Sequence, residues 1–393
     1  MEKQEAASLL GVGSEELDLF FIEDPFNPPN TIKGFLCQRS DHRYGALVLF
    51  EINGEEISPS VIYGTPKQKY PFKVKRGQKT YHWPRTFKSV RIYEKFDGTN
   101  VLAYSYADSK GQKYVTFKTR LTPIIRDGSQ ACHRTLWEGL LKEDKNLQKA
   151  SKTALEGLAV AFEMYGYQNP LLISYEVPIT ARVIFGIDQK SAGLVIPEDL
   201  VKKGVPKEAV VEISGFLEDL SHQSLITFFE DSQKGTDSVN KKIKDQIKGT
   251  EGYVFYLQEE DGWHQYKCKA PSVEPIHRLN SGRLSEAVIY PTAINALESV
   301  SGQLSVEYVK TLLKEEFDSK IIEASLGLVQ TVVDQINKTY SLKKKIDSLF
   351  RSSGLSFEKD GKGKIMKHLS AQLEKEDIKR AFAILQDLGH IPS

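Results

Sequence analysis

The hydrophobic pattern of this chain changes near residue 277, and the change limits the folds open to it. Before this point, short β-branched or aromatic runs are bounded by Gly, Asn and Asp, which is typical of strands. After it, the strand signals disappear and apolar residues recur at helical spacing. The sequence therefore predicts a strand-rich part followed by a helical part.

The strand-rich part contains helices as well. The segments predicted as strands are 46–50, 101–106, 114–117, 182–187 and 253–257. Helix-spaced apolar residues at 147–162 and 214–229 predict two helices between them. Strands with interspersed helices favour an α+β domain built on antiparallel sheets.

The helical part carries two apolar stripes. The first consists of Ile322, Leu326, Val329, Val333, Ile336 and Tyr340, and the second of Leu369, Leu373, Ile378, Phe382 and Leu385. Steps of three and four residues place the first set on one side of a long helix. A polar, glycine-containing segment at 352–364 separates the two. We predict an all-helical C-terminal domain, with a boundary near 278–285 and domains at 1–280 and 281–393.

Composition excludes several classes of protein. A chain of 393 residues, 40% hydrophobic and 27% charged, is long enough for two globular domains. The N-terminus lacks a signal-peptide core and no run approaches ~18 apolar residues, so we expect a cytoplasmic (or nuclear) protein that does not enter a membrane. Cys37, Cys132 and Cys268 are scattered and predict reduced thiols.

The net charge is only +1, so contact with nucleic acid would have to use local basic segments. Candidates lie at 73–79, 241–244 and 343–345. Each segment also fits a solvated surface.

The motif Lys95-Phe96-Asp97-Gly98-Thr99-Asn100 directly follows the strand-like run 90–93. It presents a lysine beside a carboxylate and a flexible glycine, as a nucleophile for phosphorus would be presented. A lysine attacks only as the neutral amine, so burial or nearby positive charge must lower its pKa. We therefore expect other cations near Lys95. By itself, Asp-Gly after a strand also fits a hairpin turn.

Lys267 and Lys269 are candidates for those cations. Residues two apart in a strand face the same way, so both ammonium groups would project together while Cys268 points into the packing behind. Two such charges would lower the pKa of Lys95. The alternative is an edge strand, where lysines protect against aggregation.

Further segments complete an ordered set. They are Pro66-x-x-Lys69-Tyr70, Phe117-Lys118-Thr119-Arg120, Phe162-Glu163-Met164-Tyr165 continuing to Asn169, Glu251-Gly252-Tyr253-Val254, and Tyr266-Lys267-Cys268-Lys269 running on to His277. With the Lys95 motif, this set resembles the covalent nucleotidyltransferases, which include ATP-dependent ligases and mRNA capping enzymes. Within them it is most similar to the phage-type RNA ligases that repair cut tRNA anticodon loops. The likeness covers 43–277 and implies an ATP-grasp-like nucleotidyltransferase domain.

The resemblance also implies roles for individual residues. Catalytic roles fall to Lys95, Asp97, Glu163, Glu251, Lys267 and Lys269. ATP contacts fall to Arg43, Lys69, Glu94, Lys95, Arg120, Glu163, Lys267 and Lys269, and metal binding to Asp97 and Glu251. The register of Arg43 is open, because Tyr44 separates it from the glycine that related ligases place beside the arginine.

Ordinary structural roles remain open for several of these residues. Glu163 is either a paired core carboxylate or one that faces a ligand, near a nucleoside sugar or a metal. Asp97 also suits a turn, and Glu251 the start of a hairpin strand. Lys118 and Arg120 could hold an incoming 5′-phosphate or line an exposed strand face.

The predicted function is that of an ATP-dependent RNA ligase. The resemblance implies a lysyl-AMP on Lys95, transfer of AMP to an RNA 5′-phosphate, and sealing by an RNA 3′-hydroxyl, with Mg²⁺ or Mn²⁺. The expected partner is RNA with such ends, with tRNA under repair as a candidate. The protein would act as a monomer or homodimer, and the helical domain would either dock RNA or form a dimer surface.

Rival hypotheses are a DNA ligase, a GTP-using capping enzyme, and a catalytically inactive RNA-binding relative. The first two usually carry an OB-fold of short strands after the last lysine motif, whereas helices are predicted here.

Overall fold

The computed structural model describes residues 1–38, 41–75, 78–127, 132–243, 246–270, 273, 284, 286–300, 303–314, 319–388 and 390–391. Strands dominate as far as residue 269, and helices follow from residue 286. The predicted fold class, α+β with antiparallel sheets followed by a helical C-terminal region, is confirmed. Outside the described residues lie His277, most of the predicted boundary at 278–285, and parts of the basic segments at 73–79 and 241–244.

The strands before residue 120 are β1 (Leu17–Glu23), β2 (Thr31–Cys37), β3 (Leu47–Ile52), β4 (Glu55–Ile62), β5 (Phe72–Lys75), β6 (Gln78–Tyr81), β7 (Ser89–Lys95), β8 (Thr99–Ala107) and β9 (Lys113–Lys118). The later strands are β10 (Leu158–Tyr165), β11 (Thr180–Asp188), β12 (Leu194–Val195), β13 (Ile213–Phe216), β14 (Lys241–Ile243), β15 (Gln246–Lys248), β16 (Gly252–Glu259) and β17 (Gly262–Lys269). Each of the segments predicted as a strand overlaps one of these.

The strands form antiparallel sheets. An N-terminal sheet has the order β1-β2-β3-β4, a five-stranded sheet the order β12-β11-β10-β8-β9, and a four-stranded sheet the order β13-β7-β16-β17. The pairs β5-β6 and β14-β15 are separate hairpins. Because β7 and β16 are neighbours, the ends of two distant sequence motifs meet at one edge of the four-stranded sheet.

The two central sheets pack face to face. Ala159 and Ala161 of β10 join the core between these sheets, whereas Val160 and Phe162 join a second core on the other side of β10. Side chains alternate along a strand, so Glu163 shares the inner face with the two alanines. This alternation aims a carboxylate into the cleft between the sheets.

The helices before residue 240 are α1 (Lys3–Leu10), α2 (His133–Glu143), α3 (Lys145–Lys152), α4 (Pro197–Lys202) and α5 (His222–Val239), with 3₁₀ turns at Ser14–Glu16, Thr153–Glu156 and Lys207–Ala209. Helices α2, α3 and α4 cover the five-stranded sheet. Helix α5 covers the outer face of the four-stranded sheet, where Leu225 and Phe229 pack against Phe255 and Cys268.

Two helix predictions were wrong in part. The helix predicted at 147–162 ends at Lys152, and Gly157 turns the chain with a φ of 85° before β10 begins. The helix predicted at 214–229 begins only at His222, after the Ser221 side chain caps it by accepting from Ser224 N. In both segments part of the chain pairs as a strand, β10 with β8 and β11 and β13 with β7, and this pairing outweighs the local helical spacing.

The later helices are α6 (Glu286–Ser299), α7 (Val306–Leu313), α8 (Ser319–Ala324), α9 (Leu326–Ser353), α10 (Phe357–Ser370) and α11 (Lys375–Asp387). They form two apolar cores, one around α6, α7 and α9 and one around the end of α9 with α10 and α11. No helix in the described part of the chain is long and apolar enough to span a bilayer.

The first predicted stripe does not lie on one helix. Ile322 belongs to the short α8, and Val329, Val333 and Ile336 are buried on α9. The polar segment 352–364 that separates the two stripes is partly helical, since α10 begins at Phe357, where the Ser356 side chain accepts from Lys359 N.

Candidate active site

The centre of the site is Lys95, the last residue of β7. Its backbone lies opposite Gly252 of β16, and its ammonium donates a hydrogen bond to Oε2 of Glu251 at 2.6 Å. Along β7, Val90 and Ile92 face α5. The opposite parity turns Lys95 into the cleft between the sheets.

Glu251 joins two lysines. Its Oε1 lies 2.7 Å from Nζ of Lys269, and its Oε2 accepts from Lys95, while its side chain is only 2% exposed. Burial alone would raise the pKa of Glu251, but the charges of Lys95 and Lys269 outweigh burial and lower the pKa to about 2. Glu251 is therefore an ionised carboxylate at the base of the cleft.

The expected effect of cations on Lys95 is not what this arrangement produces. Burial lowers the pKa of Lys95, but the negative charges of Glu251 and Glu163 outweigh burial and raise the pKa above its ordinary value. The expectation of a lowered pKa is therefore wrong here. The reason is that Glu251 lies between Lys95 and Lys269. The negative charge of Glu251 is therefore closer to the Lys95 ammonium than the positive charge of Lys269 is.

Lys267 and Lys269 do share the cleft face of β17. Cys268 between them is buried against α5 and its thiol donates to Phe229 O at 3.6 Å, as the strand alternation predicted. Lys267 Nζ lies 4.3 Å from the ring centroid of Tyr70. Burial, helped by the charges of Lys269 and Lys95, lowers the pKa of Lys267 to about 7.

Lys69 lies beside this pair. Its carbonyl accepts a hydrogen bond from Lys267 N at 3.0 Å, and its backbone runs parallel to that of Tyr266. The Lys69 side chain is exposed. The extended segment 66–70 thus forms a wall of the site next to β17.

Asp97 joins the Lys95 motif to the segment 172–175. Its Oδ2 accepts from Leu172 N at 2.6 Å and from Ile173 N at 2.8 Å, and its own N–H donates to the Tyr175 hydroxyl at 2.7 Å. Burial and the charge of Glu251 raise the pKa of Asp97, against the two amide hydrogen bonds. Asp97 is thus more than a turn residue, because it ties the motif to 172–175.

Glu163 faces the cleft from β10. Burial, assisted by Glu251, raises its pKa to about 7 despite the charge of Lys95. Asn100 Nδ2 lies 3.5 Å from Glu163 Oε2. Gly98 lets the motif approach β10, because a Cβ there would lie 2.4 Å from Met164 O.

Lys118 and Arg120 do not share an exposed face. Lys118 is 1% exposed and its ammonium donates to the carbonyls of Thr119 and Arg120, so it cannot meet a phosphate from solution. Burial, with the charge of Arg120, lowers the pKa of Lys118 to about 7. The guanidinium carbon of Arg120 lies 5.8 Å from the ring centroid of Tyr44, and its charge acts on Glu163.

Arg43 is engaged elsewhere. Its guanidinium pairs with Asp41 and donates to the carbonyls of Leu10 and Gly11 at the end of α1. The structure therefore gives Arg43 the task of holding α1 and does not bring it into the Lys95 cluster.

A small cavity lies against Lys95. It measures about 30 Å³ and is lined by Gln68, Tyr93, Glu94, Lys95, Phe96, Glu163, Ile184, Val211, Val254 and Tyr256. This volume holds about one water molecule, so a nucleoside needs these side chains to move. Burial raises the pKa of Glu94, and a hydrogen bond with Thr250 opposes that shift.

The carboxylates suit a hard cation in part. Mg²⁺ takes oxygen ligands and is usually held by one or two carboxylates together with phosphates. Both oxygens of Glu251 already face lysines, whereas Asp97 uses Oδ2 for the amides, so Asp97 is the better ligand of the predicted pair. Among the described residues, the set of three acidic and histidine side chains close enough to share an ion is Glu259, Asp261 and His264, at the far turn of the β16–β17 hairpin.

Sequence reasoning missed three supporting residues. The Tyr175 hydroxyl accepts a hydrogen bond from Asp97 N. Asn100 Nδ2 donates to Phe162 O at 3.2 Å, and Asn100 Oδ1 accepts from Thr65 Oγ1 at 2.9 Å. The ring of Tyr70 packs against the ammonium of Lys267. Asn100 ends the Lys95 motif and Tyr70 follows Lys69, so position in the motifs was the available signal. Nothing local distinguishes Tyr175, whose role depends on the folded loop.

Comparisons with known proteins come from solved structures, since no protein-family model and no curated protein matches the chain. An archaeal ATP-dependent RNA ligase is similar in two forms at a TM-score of 0.46, with 14% and 13% identity. The first alignment covers 82% of this chain and 81% of the other, and the second 99% of each. A Naegleria gruberi RNA ligase mutant with ATP and Mn is similar at a TM-score of 0.33 and 12% identity, over 66% of this chain and 98% of the other.

A putative ATP-dependent DNA ligase from Aquifex aeolicus is similar at a TM-score of 0.42 and 16% identity, over 99% of this chain and 88% of the other. The phage-type subgroup stays a prediction.

Proposed function

We propose that the chain is an ATP-dependent RNA ligase that carries AMP on Lys95. The observation that supports this most directly is the buried array of Lys95, Glu251 and Lys269, joined at 2.6 and 2.7 Å, with Lys267 on the same face of β17. A hydrolase does not need a lysine nucleophile among further lysines, whereas transfer of a nucleotidyl group to an amine does.

The first step forms a bond between Lys95 Nζ and the α-phosphorus of ATP. The bond from that phosphorus to the bridging oxygen breaks, and pyrophosphate leaves. The ammonium must lose a proton first. Glu251, 2.6 Å away with a pKa of about 2, stabilises the charged form, so the proton passes to solvent only when bound positive charge lowers the pKa of Lys95. Lys267 and Lys269 stabilise the negative charge that grows on the phosphates.

Two transfers complete the reaction. The 5′-phosphate of an RNA end attacks the same phosphorus and releases Lys95, and a 3′-hydroxyl then attacks the 5′-phosphate and releases AMP. Glu163 would bind the nucleoside sugar or the metal. Arg120 would bind the phosphates of ATP in the first step and the incoming 5′-phosphate in the second. A divalent cation beside Asp97 would supply positive charge that stabilises the phosphates and favours the neutral amine.

The decisive experiment uses ATP labelled at the α-phosphate. Wild-type protein should retain label after denaturation, and Lys95→Ala should retain none. Lys88→Ala is the matched control, because Lys88 is exposed and lies next to the first residue of the same strand. Equal labelling of wild type and Lys95→Ala would sink the assignment.

The choice of substrate is part of the proposal. The described residues from Glu286 to Asp387 are largely helical, in place of the OB-fold strands that usually follow the last lysine motif in DNA ligases and capping enzymes. We therefore expect ATP to label Lys95 better than GTP, and single-stranded RNA to be sealed in preference to nicked DNA. RNA binding without any label on Lys95 would instead favour an inactive relative.

A role in RNA repair, with tRNA as a substrate, belongs to the same proposal. Exposed or half-exposed lysines on α9, Lys343, Lys344 and Lys345, could contact phosphates of a folded RNA.

A further inference from the structure

The loop after β9 connects the cleft to the helical region. Leu121 in this loop packs against the apolar core that α6, α7 and α9 form together. The residue before it, Arg120, acts electrostatically on Glu163 in the cleft. Two adjacent residues therefore face two parts of the molecule, and this bears on the proposed function.

The strand-rich part holds the same loop from two sides. On the first side, the buried Lys118 ammonium donates to Thr119 O at 2.8 Å and to Arg120 O at 3.1 Å. On another side Gly45 leaves the loop room, because a Cβ at Gly45 would lie 1.8 Å from Arg120 O. These contacts hold the backbone of Arg120, and Leu121 adds an anchor from the helical region.

The helical region also contacts a second segment that borders the site. Lys67 Nζ donates to Lys314 O, just after α7, at 3.2 Å. Lys67 belongs to the segment 66–70 that carries Lys69 and Tyr70. The helical region thus contacts two segments that border the site, the loop 119–121 and the segment 66–70.

We propose that Leu121 is a positioning residue for AMP transfer, through which the helical region holds Arg120 at the cleft. This inference rests on the proposed function. It predicts that the helical region contributes to the first chemical step, in addition to any role in RNA docking. Loosening an anchor next to a group that contacts phosphate should slow the reaction without removing any reacting atom.

The test compares two leucines that pack against the same helical core. Leu121 lies in the loop, whereas Leu328 lies within α9, and both are partly buried. In full-length protein, Leu121→Ala should label Lys95 roughly 10- to 100-fold more slowly than wild type, the penalty of a misplaced group. Leu328→Ala should stay within about twofold of wild type, and Leu121→Met should restore most of the rate, because its volume is similar.

A double variant separates positioning from general damage. If Leu121 acts through Arg120, then Leu121→Ala should slow labelling little further once Arg120→Ala is present. Single-turnover labelling over a range of ATP concentrations gives the rate and the apparent affinity for ATP of wild type, Leu121→Ala, Arg120→Ala and the double variant. Equal loss in the two backgrounds, or equal loss in Leu121→Ala and Leu328→Ala, would overturn the positioning role while the labelled wild type still supports the ligase. An unlabelled wild type would overturn both.

Discussion

At the scale of single residues, one carboxylate sets the electrostatics of the site. Glu251 is ionised, almost fully buried and shared by two ammonium groups. A buried charge with two partners is tolerated only while both sides are present. Its neighbour Glu163 is also buried, but the nearby positive charges do not outweigh the effect of burial, so the pKa of Glu163 is raised to about 7.

Replacing Glu251 by Gln tests that balance. Glu251→Gln keeps the shape but leaves Lys95 and Lys269 without their shared charge, so the free energy of unfolding should fall by about 3 kcal/mol or more. Urea denaturation at neutral pH measures the change. The control is Glu176→Gln, which should change stability little, because Glu176 and its partner Lys248 are both exposed. Similar losses in the two variants would contradict a buried, shared carboxylate.

Lys118 gives a prediction with a defined pH window. Its folded-state pKa of about 7 lies below the ordinary lysine value of about 10.4. Between these values the unfolded chain binds a proton that folded Lys118 does not, so this residue makes wild-type stability rise with pH by roughly 1 kcal/mol per unit. The stability of Lys118→Met should not show that rise with pH. Its free energy of unfolding should therefore exceed that of wild type by the largest amount near pH 7.

Denaturation of both proteins at pH 7 and pH 9 measures the difference. A Lys118→Met gain that does not shrink at the higher pH would mean that Lys118 is not buried as a neutral amine. The variant should also label Lys95 more slowly, because the carbonyls of Thr119 and Arg120 lose their donor.

At the scale of elements, strand alternation and register assemble the site. Residues of one parity on β7, β16 and β17 pack against α5, and those of the other parity face the cleft. The hydrogen-bond register then aligns Lys95 with Gly252 and Gly252 with Lys269. A one-residue slip in either pairing would turn a lysine away from the cleft.

A side chain at Gly252 would disrupt this register. Its φ is 139°, and a Cβ there would lie 2.0 Å from Cys268 O. Gly262, at the other end of the hairpin, has a similar φ of 131°, but a Cβ added to it would meet no described atom within 4 Å. Gly252→Ala should therefore destabilise the protein more than Gly262→Ala and reduce Lys95 labelling by more than about tenfold.

Gly262→Ala should retain nearly full labelling, because it carries only the backbone strain. Thermal melting and label transfer on both variants provide the comparison. Equal labelling by the two would mean that the β16–β17 register does not control the site.

At the scale of the whole molecule, two packed sheets form the cleft and the helical region lies against its rim. Leu121 and Lys67 both reach that region from segments that border the site. The helices also carry cations outside the cleft, including Lys344, whose ammonium lies 4.7 Å from the ring centroid of Tyr340. Under the proposed function, these contacts place the helical region where it can affect AMP transfer as well as RNA binding.

RNA docking by the helices predicts a salt dependence. Removing Lys343 and Lys345 should weaken RNA binding and reduce the slope of log affinity against log salt by about 0.7 for each lost contact with a single strand. Labelling of Lys95 should not change. Filter binding of RNA at several salt concentrations measures the slope, with the exposed pair Lys110 and Lys142 removed as a charge-matched control. An unchanged slope for the helix variant would exclude docking through this face.

Local chemistry determined much of this protein from sequence. Hydrophobic periodicity identified strands such as 101–106 and the helical C-terminal region, because side-chain alternation and helical spacing are properties of neighbouring residues. The motif at Lys95 and the spacing of Lys267 and Lys269 were also local, and both belong to the candidate site.

Only the tertiary structure decided what those residues meet. Helix-spaced residues at 158–162 became a central strand because β8 and β11 offered partners on both sides. Arg43 binds the end of α1, and Lys118 is buried. The pKa of Lys95 is raised instead of lowered, because Glu251 lies between the lysines. Burial and electrostatic contact depend on distances between remote parts of the chain, and those distances exist only after the sheets have packed.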